Sequence, residues 1–138
     1  MTPPKSVIVL REQLASSFSP ATAYGGRVGA VPSVGHCAAA ALIVREVLGG
    51  ALVSAPAYGE NHWFNRIEID GAPRDVDITG DQFGLPAIQV APPNELYPGS
   101  DLRSDKDVAS ETARRAVQLA REAGLPLIAE QIGARFAL

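Results

Sequence analysis

Residues 35–50 read GHCAAAALIVREVLGG, and the whole prediction of the fold starts from this stretch. Positions 37–48 are alanine-rich and apolar on nearly every side, which predicts a central, buried helix that ends at Gly49-Gly50. The helix begins at Cys37, the only cysteine in the chain. Because a helix N-terminus favours negative charge, a thiol at this position is a candidate nucleophile.

Hydrophobic spacing on both sides of this helix predicts the neighbouring elements. Residues 6–18 have the spacing of a first helix, and residues 20–35, with two prolines and four glycines, predict an ordered loop. Residues 51–54 form a short apolar stretch. Residues 61–69 and 75–79 are rich in aromatic and β-branched residues around Asp70-Gly71, which predicts a β-hairpin.

The register of this hairpin decides where its polar residues lie. A two-residue turn pairs Ile69 with Ala72, Phe64 with Asp77, and His62 with Thr79. His62 and Asp77 are then diagonal neighbours on one face of the sheet. A loop one residue longer would place them on opposite faces.

The C-terminal part combines an irregular segment with one helix. Residues 85–104 contain four prolines and predict an irregular excursion. Ser104 or Asp107 is expected to cap a last helix over residues 108–123, ended by Gly124 and Pro126. Its apolar stripe contains five small residues: Ala109, Ala113, Ala116, Val117 and Ala120. Arg114 and Arg115 are assigned to its solvated face.

Composition limits the classes of protein to which the chain belongs. It has 138 residues, 46% of them hydrophobic and 20% charged, so we expect a single domain spanning residues 1–138. A formal net charge of -3 argues against nucleic-acid binding. The longest apolar run, residues 37–44, is too short to span a membrane, and the N-terminus lacks the apolar run of a secretory leader, so we expect a cytoplasmic protein.

The candidate chemistry needs a thiol, an imidazole and a carboxylate, and the chain offers few residues of the first two types. Besides Cys37 there are only two histidines, His36 and His62. An imidazole beside a thiol accepts its proton, and a carboxylate holds that imidazole in the required tautomer. Cys37, His62 and Asp77 are therefore predicted as nucleophile, base and orienting carboxylate.

Four segments in order resemble a known family, the YunG-like family of small bacterial proteins. They are Gly35-His36-Cys37 before an alanine-rich helix and Gly49-Gly50, then His62-Trp63-Phe64-Asn65-Arg66, then Asp77-Ile78-Thr79-Gly80-Asp81-Gln82-Phe83, with Ser17-Phe18-Ser19 and Thr22 upstream. The resemblance covers roughly residues 10–83 and, more loosely, the last helix.

This family resembles papain-like and transglutaminase-like cysteine hydrolases in fold. The resemblance therefore implies an α+β domain of papain-like or transglutaminase-like type, with a central helix packed on a small antiparallel sheet and a Cys37, His62, Asp77 triad. Relatives tend to have glutamine where this chain has His36, so His36 or the Cys37 backbone N–H is expected to bind the oxyanion. Trp63, Asn65 and Gln82 are the remaining candidate substrate contacts.

Other functions remain open at this point. A lone cysteine beside alanines is often a small buried hydrophobe, and the same fold without turnover would be a binding or interaction protein. A metal site at His36, Cys37, His62 and Asp77 is disfavoured, because adjacent residues at a helix start do not easily converge on one ion. We expect neither cofactor nor metal. The favoured function is a cysteine-dependent hydrolase or acyl transferase acting on an amide, thioester or glutamine-type carbonyl. The sequence does not indicate whether the substrate is a peptide, a protein or a small molecule. It does not indicate an oligomeric state either.

Overall fold

The computed structural model describes residues 1–138 and has an α+β architecture, with four helices and one five-stranded antiparallel sheet. The helices are α1 (Lys5–Ala15), α2 (Cys37–Leu48), α3 (Ser110–Glu122) and α4 (Pro126–Arg135). The strands are β1 (Ala51–Ala57), β2 (Glu60–Ile69), β3 (Ala72–Asp77), β4 (Gln89–Ala91) and β5 (Asp101–Arg103), in the spatial order β4-β3-β2-β1-β5. None of the helices combines the length and apolar character needed to cross a lipid bilayer.

The β2–β3 hairpin has the predicted register. Ile69 pairs with Ala72, and the pairing continues to Asn65 opposite Val76. Asp70 and Gly71 both have positive φ, at 52° and 82°, which is the backbone of a tight two-residue turn that matches strand twist. This confirms the prediction that decides whether His62 and Asp77 share a face.

Helix α2 is the centre of the main core. Six consecutive residues, Ala39–Val44, are buried, and the helix contacts strands β1 and β2 as well as the other three helices. Gly50 lets the chain return closely against β2, since a Cβ there would lie 2.4 Å from the carbonyl oxygen of Arg66. The predicted central helix is therefore confirmed, with Cys37 as its first residue.

Three predictions near the termini and in the proline-rich segment were wrong in part. Helix α1 ends at Ala15, although Phe18 beyond it is still buried. The segment 85–104 contains the short strands β4 and β5, whose three residues each are too few to show an alternating pattern. Pro126 not only follows the end of α3 but also begins a fourth helix that was not predicted, because proline is favoured in a first helical turn.

The start of α3 also differs from the prediction. Ser104 and Asp107 form a reciprocal capping box, but it caps a short 3-10 turn at Asp105–Asp107. Helix α3 begins at Ser110, and Ala109 is an exposed residue before it. The other four residues of the predicted stripe are buried.

Candidate active site

Three elements bring the candidate triad to one place. Cys37 begins α2, His62 lies on β2, and Asp77 is the last residue of β3. The thiol is half-buried, whereas His62 and Asp77 are each 1% exposed. Cys37 comes from the N-terminal end of α2, whereas the hairpin register places His62 and Asp77 on the sheet face that carries Phe64, opposite the face from which Asn65 bonds to α2.

The imidazole of His62 is held in one tautomer by Asp77. Nε2 of His62 lies 2.9 Å from Oδ2 of Asp77. A carboxylate only accepts hydrogen bonds, so Nε2 donates and the proton of a neutral ring stays there. Nδ1 is buried and has no hydrogen-bond partner of good geometry within the chain. It is therefore the ring nitrogen left to accept a proton from Cys37.

The protonation of His62 is set by opposing effects. Burial lowers the pKa of His62, but the hydrogen bond to Asp77 and the interaction with the Cys37 thiol outweigh it and raise that pKa to about 9. His62 is thus an imidazolium at neutral pH.

Asp77 is itself held by several donors. Its Oδ1 accepts hydrogen bonds from the backbone N–H of Thr79 at 3.0 Å and from the Thr79 hydroxyl at 3.3 Å. Its Oδ2 accepts a second bond from the hydroxyl of Tyr97. Burial raises the pKa of Asp77, but the bonds from His62, Tyr97 and Thr79 lower it below its usual value. The carboxylate is therefore buried but is surrounded by hydrogen-bond donors.

Aromatic rings enclose the imidazole of His62. The rings of Phe83 and Tyr97 meet it edge-on, with centroids at 4.9 and 4.8 Å, and the Phe64 ring stacks at 5.9 Å. This surround keeps water away from the His62–Asp77 bond, and the electrostatic interaction between them is stronger in such a medium.

A cleft of about 340 Å³ opens beside Cys37, within the size range of small-molecule sites. His62, Trp63 and Gln82 line it, so two of the four predicted substrate contacts lie with the triad. The amide of Gln82 donates to the carbonyl oxygen and the hydroxyl of Thr79, at 3.1 and 3.0 Å, which fixes its position.

The other two predicted contacts do not lie on the cleft. His36 is completely buried, with Nδ1 3.1 Å from the Val34 carbonyl oxygen and Nε2 2.8 Å from the Thr22 hydroxyl. Both ring nitrogens of His36 are thus occupied, and the ring is unsuited to bind an oxyanion. Asn65 is buried and donates to the carbonyl of Ala41, which ties β2 to α2.

Two residues of the site were not predicted from the sequence. Tyr97 lies in the segment predicted to be irregular, and its contact with Asp77 is long-range, so no local pattern indicates it. Arg115 was assigned to a solvated helix face but lines the cleft. Its spacing of three residues from buried Thr112 places it at the border of the buried stripe, which is the signal that could have found it.

The arrangement of potential ligand side chains does not support a metal site. No group of three or more histidine, cysteine, aspartate or glutamate side chains is placed to hold a metal ion. His36, one of the four ligands weighed for such a site, is bonded elsewhere.

Fold and site together define a class: a small α+β protein in which the thiol of Cys37 and the imidazole of His62 line a cleft and the carboxylate of Asp77 bonds to that imidazole. The sequence matches the family described as YunG protein over residues 6–122, so the chain belongs to the YunG family. No curated protein matches the chain, and no solved structure matches it.

Proposed function

We propose that this protein is a cysteine-dependent hydrolase or acyl transferase whose triad is Cys37, His62 and Asp77, arranged in the papain-like or transglutaminase-like manner. The observation that supports this most strongly is the buried 2.9 Å bond between His62 and Asp77, which leaves Nδ1 of the same ring without a hydrogen-bond partner. A purely structural buried histidine would have both nitrogens bonded, as His36 has.

The reaction would proceed through an acyl-enzyme. The Cys37 sulfur attacks the carbonyl carbon of an amide or thioester, and the proton held at Nδ1 of His62 passes to the leaving amine or thiol as its bond to that carbon breaks. Water or an amine then attacks the thioester, giving its proton to Nδ1, and Cys37 leaves as the thiolate. Asp77 touches no substrate atom and acts by positioning His62.

Negative charge on the carbonyl oxygen needs donors, and the start of α2 has them. The first N–H groups of a helix have no acceptor within that helix. The backbone N–H of Cys37 is therefore the donor we assign to the oxyanion, since His36 is bonded elsewhere. A single thiol that must stay reduced to act also fits the reducing cytoplasm.

The first experiment measures the rate of Cys37 alkylation by iodoacetamide against pH, followed by intact mass. We expect the parent protein to react at least about tenfold faster near pH 6.5 than His62→Ala or Asp77→Ala. The matched control is His36→Gln, which changes the histidine adjacent to Cys37 in sequence but not the one that faces its thiol. Circular dichroism checks that each variant is folded.

Slow alkylation that neither His62→Ala nor Asp77→Ala changes would overturn the proposal and favour a binding protein on the same fold. An activated ester provides the second readout. The native parent protein should release one p-nitrophenol per chain from p-nitrophenyl acetate in a burst, with acetyl mass added to Cys37. The unfolded chain should show no such burst.

A further inference from the structure

Arg115 is the charged residue of the cleft that has neither a role in the proposed reaction nor an ion-pair partner in the chain. It projects from α3 and lines the same cavity as Cys37 and His62. Its neighbour Arg114 points to solvent and pairs with Glu111 at 2.5 Å. The two adjacent arginines therefore differ in both environment and partner.

The guanidinium of Arg115 is held in a fixed orientation. Nη2 donates to the hydroxyl of Thr112 at 2.9 Å, and the group lies over the ring of Tyr24, 5.3 Å from its centroid. Nη1 and Nε make no hydrogen bond within the chain, and Nε is buried. A side chain fixed by a hydroxyl and an aromatic face loses little conformational freedom when it binds a ligand.

The charge of Arg115 is also unmatched. No aspartate or glutamate lies within ion-pair distance of it, whereas Arg27 on the same cleft pairs with Glu60 at 2.5 Å. The cleft thus contains one cation whose charge the protein does not neutralise, in addition to the imidazolium and thiol of the proposed triad.

We propose that Arg115 binds a carboxylate of the substrate, so that the cleft selects amides or thioesters whose acyl or leaving group is a monoanion. The claim that the cleft selects such substrates rests on the proposed function, whereas carboxylate binding by Arg115 does not depend on it. A planar guanidinium matches a carboxylate through two parallel N–H bonds. One unmatched charge suits a singly charged group, and the cleft volume suits a small molecule or a chain terminus.

The test compares two alkylating agents that differ in one group. Iodoacetate has a carboxylate where iodoacetamide has an amide, and both modify Cys37. We measure the ratio of their rates in the parent protein, Arg115→Gln, Arg115→Lys and the matched control Arg114→Gln, at about 0.5 M salt to screen long-range attraction. Intact mass gives each rate, and circular dichroism checks folding.

We expect Arg115→Gln to lower the iodoacetate-to-iodoacetamide ratio about tenfold and Arg114→Gln to leave it unchanged. Arg115→Lys keeps the charge but loses the planar pair of donors, so its ratio should be intermediate. Equal ratios in the parent protein and Arg115→Gln would overturn the inference.

Failure of the proposed function gives a different result. If Cys37 has no enhanced reactivity near neutral pH, the proposed reaction is wrong, but the two rates can still be compared at about pH 9.5, where ordinary thiols react. The ratio at that pH then tests carboxylate binding by Arg115 on its own.

Discussion

The surroundings of the two histidines are the most instructive comparison within this molecule. His36 and His62 are about equally buried, at 0% and 1% exposure; His36 packs against one aromatic ring, and His62 packs against three. The partners of His36 are a hydroxyl and a backbone carbonyl, whereas His62 has a carboxylate. Burial lowers the pKa of His36 below its usual value, but the pKa of His62 is raised to about 9.

The difference shows that burial alone does not determine the charge of an imidazole. Burial disfavours the imidazolium at both positions, and at His62 the buried carboxylate of Asp77, together with Cys37, reverses the sign. His36 precedes Cys37 in the chain, yet His62 is the histidine that faces the thiol. The position of Asp77, not closeness in sequence, therefore distinguishes the candidate base from the structural histidine.

Replacing Asp77 by asparagine should remove most of the difference in pKa between the two histidines, and this is the largest effect that we expect. In Asp77→Asn we expect the pKa of His62 to fall by about two units from about 9, which corresponds to about 3 kcal/mol, because burial is then opposed mainly by Cys37. Titration of the ring protons by NMR measures it. His36→Gln assigns the two histidine signals.

The pKa of His36 is the internal control for this titration. It should stay below 6.5 in Asp77→Asn, since Asp77 does not contribute to it. A His62 pKa that remains near 9 without Asp77 would contradict the assignment of the carboxylate as the cause.

The second prediction concerns stability at acid pH. Because the pKa of Asp77 is lower in the folded protein than its ordinary 3.8, its contribution to stability is complete above pH 3.8 and is lost as the pH falls through the folded value. Asp77→Asn should therefore lower the free energy of unfolding by about 2 kcal/mol near pH 6 and by less near pH 3, which lies below the ordinary pKa. Urea unfolding at both pH values measures the difference.

Asp101 offers a matched control for this experiment. Its side chain is 75% exposed, and its ion pair with Arg103 is long, at 3.9 Å. Asp101→Asn should therefore change the free energy of unfolding by less than about 0.5 kcal/mol at either pH. A loss in Asp77→Asn that is the same near pH 3 as near pH 6 would show that it does not come from the ionised carboxylate.

Much of the region around His62 could be predicted from the sequence because its determinants are local. Asp70-Gly71 fixes the turn, the turn fixes the register, and the register puts His62 and Asp77 on one face. The apolar run from Ala39 to Val44 similarly fixes α2 as the buried helix.

The parts of the site that the sequence does not predict depend on contacts between distant segments of the chain. Tyr97 reaches Asp77 from a segment whose strands have only three residues each, and Arg115 reaches the cleft through the rotation of α3 about its axis. His36 and Asn65 were predicted as substrate contacts, but their side chains bond to Thr22 and to Ala41 and do not line the cleft. No spacing rule predicts such partners.

The third prediction concerns Tyr97→Phe, which removes the phenol hydroxyl that donates to the carboxylate beside His62. The hydroxyl donates to Asp77 and accepts from Nε2 of Gln89 at 3.0 Å. We expect a loss of about 1.5 kcal/mol in the free energy of unfolding and a higher pKa of Asp77, since the bond from Tyr97 lowers it. Urea unfolding and carboxyl NMR titration measure these changes.

Tyr58→Phe is the matched control for Tyr97→Phe. Its ring stacks on Phe83 at 4.7 Å, but its hydroxyl makes no hydrogen bond within the chain and the residue is 65% exposed. We expect a change below about 0.5 kcal/mol. Equal losses in the two variants would argue against a role for the Tyr97 hydroxyl.

The smallest expected effect concerns His36, whose ring is bonded to Thr22. Thr22→Val removes the hydroxyl that donates to Nε2 of His36 and leaves that buried nitrogen unpaired. We expect a loss of about 1 kcal/mol in the free energy of unfolding, by urea titration, and an unchanged rate of Cys37 alkylation. A fall in that rate at unchanged fold would mean that the two histidine surroundings are coupled through Cys37. His36 would then act as a second positioning residue for the thiol, because its backbone leads directly into the first turn of α2.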